Sequence, residues 1–276
     1  MVAVHRSPSA AQAMRQAARL AHLTNARLKA LYVEDLGRFI YVPMLTWATA
    51  PILGDQPLYA PLPPQDLIAE QERQGEEEES LRTAFREVCG KEGLSGEFHV
   101  LQGSVDDVLL TSSRTVDLMV MGYRHTPLFT GALFERVLRQ SVRPILMVSD
   151  SDRVDGPILF AYDGSRAAQR SLSIGASLIE LNAWKGVMVV TAANDSEEAV
   201  PVQDEVREYL LPYTTQTGFS VSVGEAGPSI LEAADMCKAG LIVMGAFGDA
   251  SVSEFLFGST TQEVLAEAPC PVLLAS

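Results

Sequence analysis

The chain repeats itself. AVHRSPSA from Ala3 to Ala10 parallels AYDGSRAA from Ala161 to Ala168, VDLMVMG from Val116 to Gly122 parallels AGLIVMG from Ala239 to Gly245, and RPILMVS from Arg143 to Ser149 parallels CPVLLAS from Cys270 to Ser276. Self-similarity over about 120 to 150 residues makes the folding unit a half-chain present twice. Each copy opens with a short strand, a polar turn and a helix. The first helix is predicted from about Ser9 to Thr24, with Ala10, Met14, Ala17, Ala18 and Ala21 as its apolar stripe. Its partner is predicted from Ala167 to Leu181, with Leu172, Ile174, Ala176 and Leu178. Second strands follow at Leu28 to Val33 and Val187 to Ala192. Each copy then reads β-α-β-α-β-α-β-α-β, and such alternation requires a parallel sheet with helices on both faces. The fold class is α/β, as two tandem doubly wound, Rossmann-like domains at 1–150 and 156–276, joined by the polar stretch Asp150 to Gly156. Both copies end in a Pro-led apolar strand. An unpaired apolar edge invites association, so the two final strands are expected to meet inside one chain as a pseudo-dimer.

The stretch from Met244 to Thr260, MGAFGDASVSEFLFGST, concentrates the chemistry. Leu241 to Met244 is an apolar run suited to a strand covered on both faces. Gly245, Gly248 and Gly258 then fall at the spacing G-x2-G-x9-G, and Ser259 and Thr260 lead into a helical pattern through Val264, Leu265 and Ala268. Glycines let a ligand approach bare backbone, and the first N–H groups of a helix have no intrahelical partner. A phosphate chain fits such a place, with two hydroxyls as further donors. The alternative is an ordinary glycine-rich connection from strand to helix.

This spacing, after a strand ending in Met-Gly and followed by Ser-Thr, resembles the ATP-binding signature of the universal stress protein family, and the resemblance extends over nearly the whole chain, twice. It implies domains of the adenine nucleotide alpha hydrolase-like class. It also implies that Ala161 and Tyr162 edge the base, that Ala192 contacts adenine, that Met244 packs near the base, and that Gly245, Gly248, Gly258, Ser259 and Thr260 hold phosphates. In that family single-domain members commonly pair through the last strand. Asp163, at the end of its copy's first strand, is the acid placed to accept from ribose hydroxyls or to help hold a metal. Capping of the next helix through Asp163 or Ser165 is the plainer role.

Charge narrows the ligand. The net charge is −14, and beyond Gly156 the only cations are Arg166, Arg170, Lys185, Arg207 and Lys238. A polyanionic backbone is repelled at long range, which argues against nucleic acid. No Lys or Arg lies between Met244 and Thr260, so a bound triphosphate depends on backbone dipoles and a divalent cation, Mg or Mn. The apolar runs are too short for a membrane span, and the N-terminal residues lack a signal-peptide layout, so the expected compartment is the cytoplasm. Cys89, Cys237 and Cys270 are odd in number and widely spaced, and are expected to be buried thiols.

The copies are unequal. Alignment on Gly122 and Gly131 gives GYRHTPLFTGAL, a shorter loop in which His125 takes the middle glycine's place and Ala132 replaces Ser259, while His5 and Arg6 stand where the second copy has Asp163 and Gly164. A shortened loop with a β-carbon at the turn cannot present the same N–H groups, so the N-terminal site is expected to be dead for ATP. Arg124, Arg136, Arg139 and Arg143 lie nearby, as a solvated basic face, as fillers of the vacated space, or as holders of a different anion. His5, His22 and His99 share no metal-ligand spacing and are expected to be structural.

An insertion, 36–65, has no counterpart in the second copy. Pro43, Pro51, Pro57, Pro61, Pro63 and Pro64 exclude regular structure across it, while Phe39, Tyr41, Trp47 and Tyr59 make it too apolar for a free linker. It is expected to pack on its own domain, a second chain or an unidentified protein partner. The run from Asp66 to Cys89 reads as a long helix with Leu67, Leu81, Phe85 and Val88 inward and Glu76 to Glu79 as its solvated face. No catalytic constellation is evident. Three functions stay open: a nucleotide-dependent stress-response protein, a slow metal-dependent ATPase, and a nucleotide-independent interaction module built on the insertion.

Overall fold

The computed structural model describes residues 1–34, 64–123, 131–150, 153–181, 183–193, 196–247 and 258–275, without the side chains of 64–71, 131–132 and 196. The insertion therefore lies almost entirely outside the described residues. So do Arg124, His125, Gly248 and the rest of both glycine loops.

Local chemistry sets the helix limits. In the first half β1 (Val2–Val4) runs into α1 (Pro8–Thr24), where the Ser7 side chain accepts from the Ala10 N–H at 3.0 Å and Pro8 supplies a pre-set φ. The helix stops at Asn25, which takes the left-handed conformation at φ 50°. Then come β2 (Leu28–Glu34), α2 (Pro64–Lys91), β3 (Gly96–Gln102), α3 (Val105–Ser113), β4 (Met119–Gly122), α4 (Gly131–Gln140) and β5 (Ile145–Val148). The second half repeats the order: β6 (Ile158–Ala161), α5 (Arg166–Ile179), β7 (Val187–Ala193), α6 (Ser196–Leu210), β8 (Thr217–Val223), α7 (Ala226–Met236), β9 (Leu241–Gly245), α8 (Ser259–Glu267) and β10 (Val272–Ala275). Ser165 caps α5 as Ser7 caps α1, accepting from the Ala168 N–H at 3.2 Å.

The strands form one sheet in the order β3-β2-β1-β4-β5-β10-β9-β6-β7-β8. Each half is parallel throughout, and the halves join where β5 and β10 run antiparallel, pairing Met147 with Val272, Leu146 with Leu273 and Ile145 with Leu274. The two final strands thus meet inside the chain, as their apolar edges require. Alternating residues feed two cores. Val2, Val4, Leu241 and Val243 face α1, α2, α5 and α6, whereas Ala3, Ile242 and Met244 face α3, α4, α7 and α8. The predicted stripe of α1 is buried throughout. In α5 Leu172 and Ala176 are buried, and Ile174 and Leu178 only partly so.

Some expectations need correction. The linker is not wholly an exposed joint, since Gly156 is buried with its Cα against the backbone of Lys238 to Gly240, and Arg153 pairs with Asp235 at 3.1 Å. Cys89 and Cys270 are buried, and burial pushes the Cys270 thiol up to about 12, but Cys237 is partly exposed. In α2 Leu81 and Phe85 are buried and Val88 packs against them, yet Glu77 accepts from the Arg6 N–H at 3.0 Å and Glu78 pairs with Arg82.

Gly122 and Gly245 end equivalent strands, and each lies against the start of its copy's first helix. A β-carbon on Gly122 would sit 2.5 Å from the Ser9 carbonyl carbon, and one on Gly245 would sit 2.8 Å from the Ala168 nitrogen. Both clashes are with backbone, so relief requires the helix to move away. We expect Gly122→Ala and Gly245→Ala each to destabilise the fold by about 1–3 kcal/mol in thermal or urea unfolding. Gly75→Ala, on an open face of α2 with nothing within 4 Å of the new carbon, should be neutral or stabilising.

Candidate functional site

A cavity of about 570 Å³ opens at the carboxyl ends of β6, β7 and β9. One wall is apolar: Val190 and Ala192 from β7, Ile230 from α7 and Met244 from β9. The start of α8 adds Gly258, Ser259, Thr260 and Thr261. Ala161, Tyr162, Asp163 and Ser165 line the space from the end of β6 and the turn into α5. The structure therefore gathers Ala161, Tyr162, Asp163, Ala192, Met244, Gly245, Gly258, Ser259 and Thr260 around one space, and Gly248 lies outside the described residues.

The frame of this cavity is tied by buried hydrogen bonds. Ser171 of α5 donates to the Met244 carbonyl at 2.7 Å, and Thr261 of α8 donates to the Ala246 carbonyl at 2.8 Å. The end of β9 is thereby held to a helix on each face. Asp163 is exposed. Its Oδ1 accepts from the Ser165 N–H at 3.0 Å while Ser165 caps α5, so the capping role is real and Asp163 still lines the cavity. Tyr162 is buried at the rim and donates through its hydroxyl to Glu205 at 2.7 Å; burial first, and then the Glu205 carboxylate, drives its phenol above the usual range.

The two motif glycines described here differ. Gly245 is required by the close approach of α5. Gly258 has an ordinary φ of −55°, and among the described residues a β-carbon there would come no closer than 3.7 Å to any atom. The fold tolerates a side chain at 258; the cavity would lose the space. Gly258 also offers no side chain to cap α8, whose first N–H groups adjoin the cavity.

Sequence reasoning missed Val190, Ala226, Ile230, Phe247, Thr261 and Gln262 as lining residues. Val190 follows from Ala192 by strand alternation, and Thr261 adjoins the Ser-Thr pair. Ile230 comes from a helix that carries no motif. In the N-terminal copy His5, at the place of Asp163, is buried and shares a hydrogen bond with Ser7 at 3.0 Å. Of the arginines there, Arg143 is exposed as a solvated face would have it, but Arg136 and Arg139 are engaged. Arg136 is bound by Asp106 and Asp107 of α3, and the Ser104 hydroxyl together with Arg136 holds the Asp106 carboxyl below its usual range. Arg139 pairs with Glu135 at 3.0 Å.

Residues 156–276 match the model of the universal stress protein family. A universal stress protein of Thermus aquaticus is 36% identical over 131 residues, a match spanning 42% of this chain and 96% of that protein. The chain belongs to the universal stress protein family. A universal stress protein of Synechocystis sp. is 28% identical over 164 residues, 57% of each chain. In overall shape the chain is similar to a universal stress protein from Archaeoglobus fulgidus, with a TM-score of 0.74 at 18% identity, covering 100% of this chain and 97% of that one. Among the described residues no helix is long and apolar enough to cross a membrane, and no three His, Cys, Asp or Glu side chains cluster as a metal site.

Thr261→Val keeps the shape of the side chain but leaves the buried Ala246 carbonyl without its donor. We expect a loss of about 1–3 kcal/mol in thermal or urea unfolding, and faster amide exchange at Ala246 and Phe247 than at Leu241 or Ile242.

Proposed function

We propose that this universal stress protein binds ATP in the cavity of its second copy. The observation that carries this reading is that apolar residues and a helix start without a side-chain cap line one space at the carboxyl ends of parallel strands. The volume suits a nucleotide-sized ligand. Adenine would lie against Val190, Ala192, Ile230 and Met244, with Ala161 and Tyr162 along its edge. The phosphates would take N–H groups from the start of α8 and the hydroxyls of Ser259 and Thr260. Asp163 would accept from ribose hydroxyls or stand beside a Mg or Mn ion carried by the phosphates.

Binding, rather than turnover, fits the described lining. Asp163 is its one carboxylate, and the second copy places no Lys or Arg there to stabilise charge building on a γ-phosphate. In this reading residues 1–150 form a copy with a degenerate site, 156–276 form the working one, and nucleotide occupancy in the cytoplasm alters a surface seen by a protein partner.

Titration calorimetry with ATP and magnesium tests this. Wild type should bind with Kd below a millimolar, and Gly258→Glu, alone or with Gly248→Glu, should abolish the heat because a carboxylate then occupies the anion's place. The melting temperature should stay near that of wild type, given the open space at 258. Gly131→Glu in the first copy should leave binding unchanged. Absence of heat and of any melting shift in wild type up to millimolar ATP overturns the assignment.

A further inference from the structure

The described lining of the candidate cavity includes no Lys or Arg, yet a cation of the other copy stands against one of its rings. Arg139 lies on α4 of the first half, and its guanidinium sits over the ring of Phe247, 4.9 Å from the centroid. Phe247 lines the cavity of the second half. The contact therefore crosses the β5–β10 seam.

Position within the cavity matters. Phe247 directly follows Ala246, whose carbonyl receives the Thr261 hydroxyl, so its backbone is tied to the first turn of α8. Glu135 meets the Nε side of Arg139, but Nη2 is buried without a hydrogen-bond partner among the described residues. With Glu135 on its Nε side and a ring against its plane, the guanidinium keeps an Nη2 donor unused among the described residues. The sequence carries the same asymmetry. Counting from Gly131 and Gly258, the counterpart of Arg139 is Ala266, and counting from Gly122 and Gly245, the counterpart of Phe247 is Arg124. Only one of the two equivalent corners combines a ring in the loop with a cation from the opposite copy.

We infer that Arg139 is the cation of the second copy's anion site, supplied across the seam by the first copy, and that it raises affinity for the phosphate chain rather than for the nucleoside. This rests on the cavity holding a nucleotide. The first copy then has a role in binding although its own loop has lost the motif.

Three probes separate the parts of the claim: ATP, adenosine and inorganic tripolyphosphate, each titrated against wild type, Arg139→Gln and Arg139→Lys, with melting curves to select folded variants. Arg139→Gln should weaken ATP and tripolyphosphate by roughly 3- to 10-fold and leave adenosine within about twofold, since only the charged ligands feel the lost charge. The loss should shrink in high salt. Arg139→Lys, which keeps the charge without the planar stack, should recover most of it. Phe247→Leu should weaken ATP as well, and its effect should not add to that of Arg139→Gln, because the two side chains act as one unit. Equal losses for adenosine and ATP, or no loss at all, overturn the inference. If wild type binds ATP and Arg139→Gln binds it equally, the inference falls and the ATP assignment stands. If wild type binds tripolyphosphate but neither ATP nor adenosine, the adenine assignment falls and the tripolyphosphate comparison alone decides for or against Arg139. Should wild type bind none of the three, both fall.

Discussion

The antiparallel pairing of β5 with β10 is the interaction on which the remaining architecture depends. Each half ends in an apolar strand that would otherwise present a row of unpaired N–H and C=O groups at a sheet edge. Pairing the edges with each other makes one ten-stranded sheet, and it buries Leu146 and Leu273 on one face and Ile145, Met147, Val272 and Leu274 on the other. The seam also fixes which helices can meet. It brings α4 of the first half beside the loop after β9, and the Arg139–Phe247 contact is a consequence.

At the ends of β4 and β9 a second constraint operates identically in both halves. Gly122 and Gly245 are there because the chain returns under the first turn of α1 or α5, at a spacing that excludes a β-carbon. A glycine shared by an intact motif and a degenerate one is therefore no sign of a ligand. Gly258 is different, since neither its backbone conformation nor packing among the described residues demands it. Of the two described motif glycines, one belongs to the fold and the other to the cavity.

Much of this was legible in the sequence because it depended on periodicity and on repetition. The stripe of α1, the paired second strands, the α/β class and the meeting of the last two strands all follow from local pattern plus the need to cover apolar edges. Misreadings arose where the answer lay in another element. Asp163 follows a buried strand, yet it is exposed, and the chain turns at Gly164 with φ of +78°. Arg136 and Arg139 looked like surface charge because their partners, Asp106, Asp107 and Phe247, are distant in sequence. Ile230 carries no motif, and its place in the cavity comes only from how α7 crosses β7.

An acidic chain proposed to take an anion into its cavity faces a conflict that distance resolves. At physiological ionic strength charges more than about 8 Å apart across solvent are largely screened. Most of the excess acids, such as Glu197, Glu198 and Asp204, lie on exposed helix faces, where their field is damped before it reaches the cavity. On the proposed reading, the N–H groups at the start of α8 and the guanidinium beside Phe247 would act at short range, where screening is weaker. Net charge would then govern what approaches from afar, and the cavity wall what stays. A small, flexible anion with an apolar body would meet both conditions, whereas a long polyanion would be disfavoured by the first.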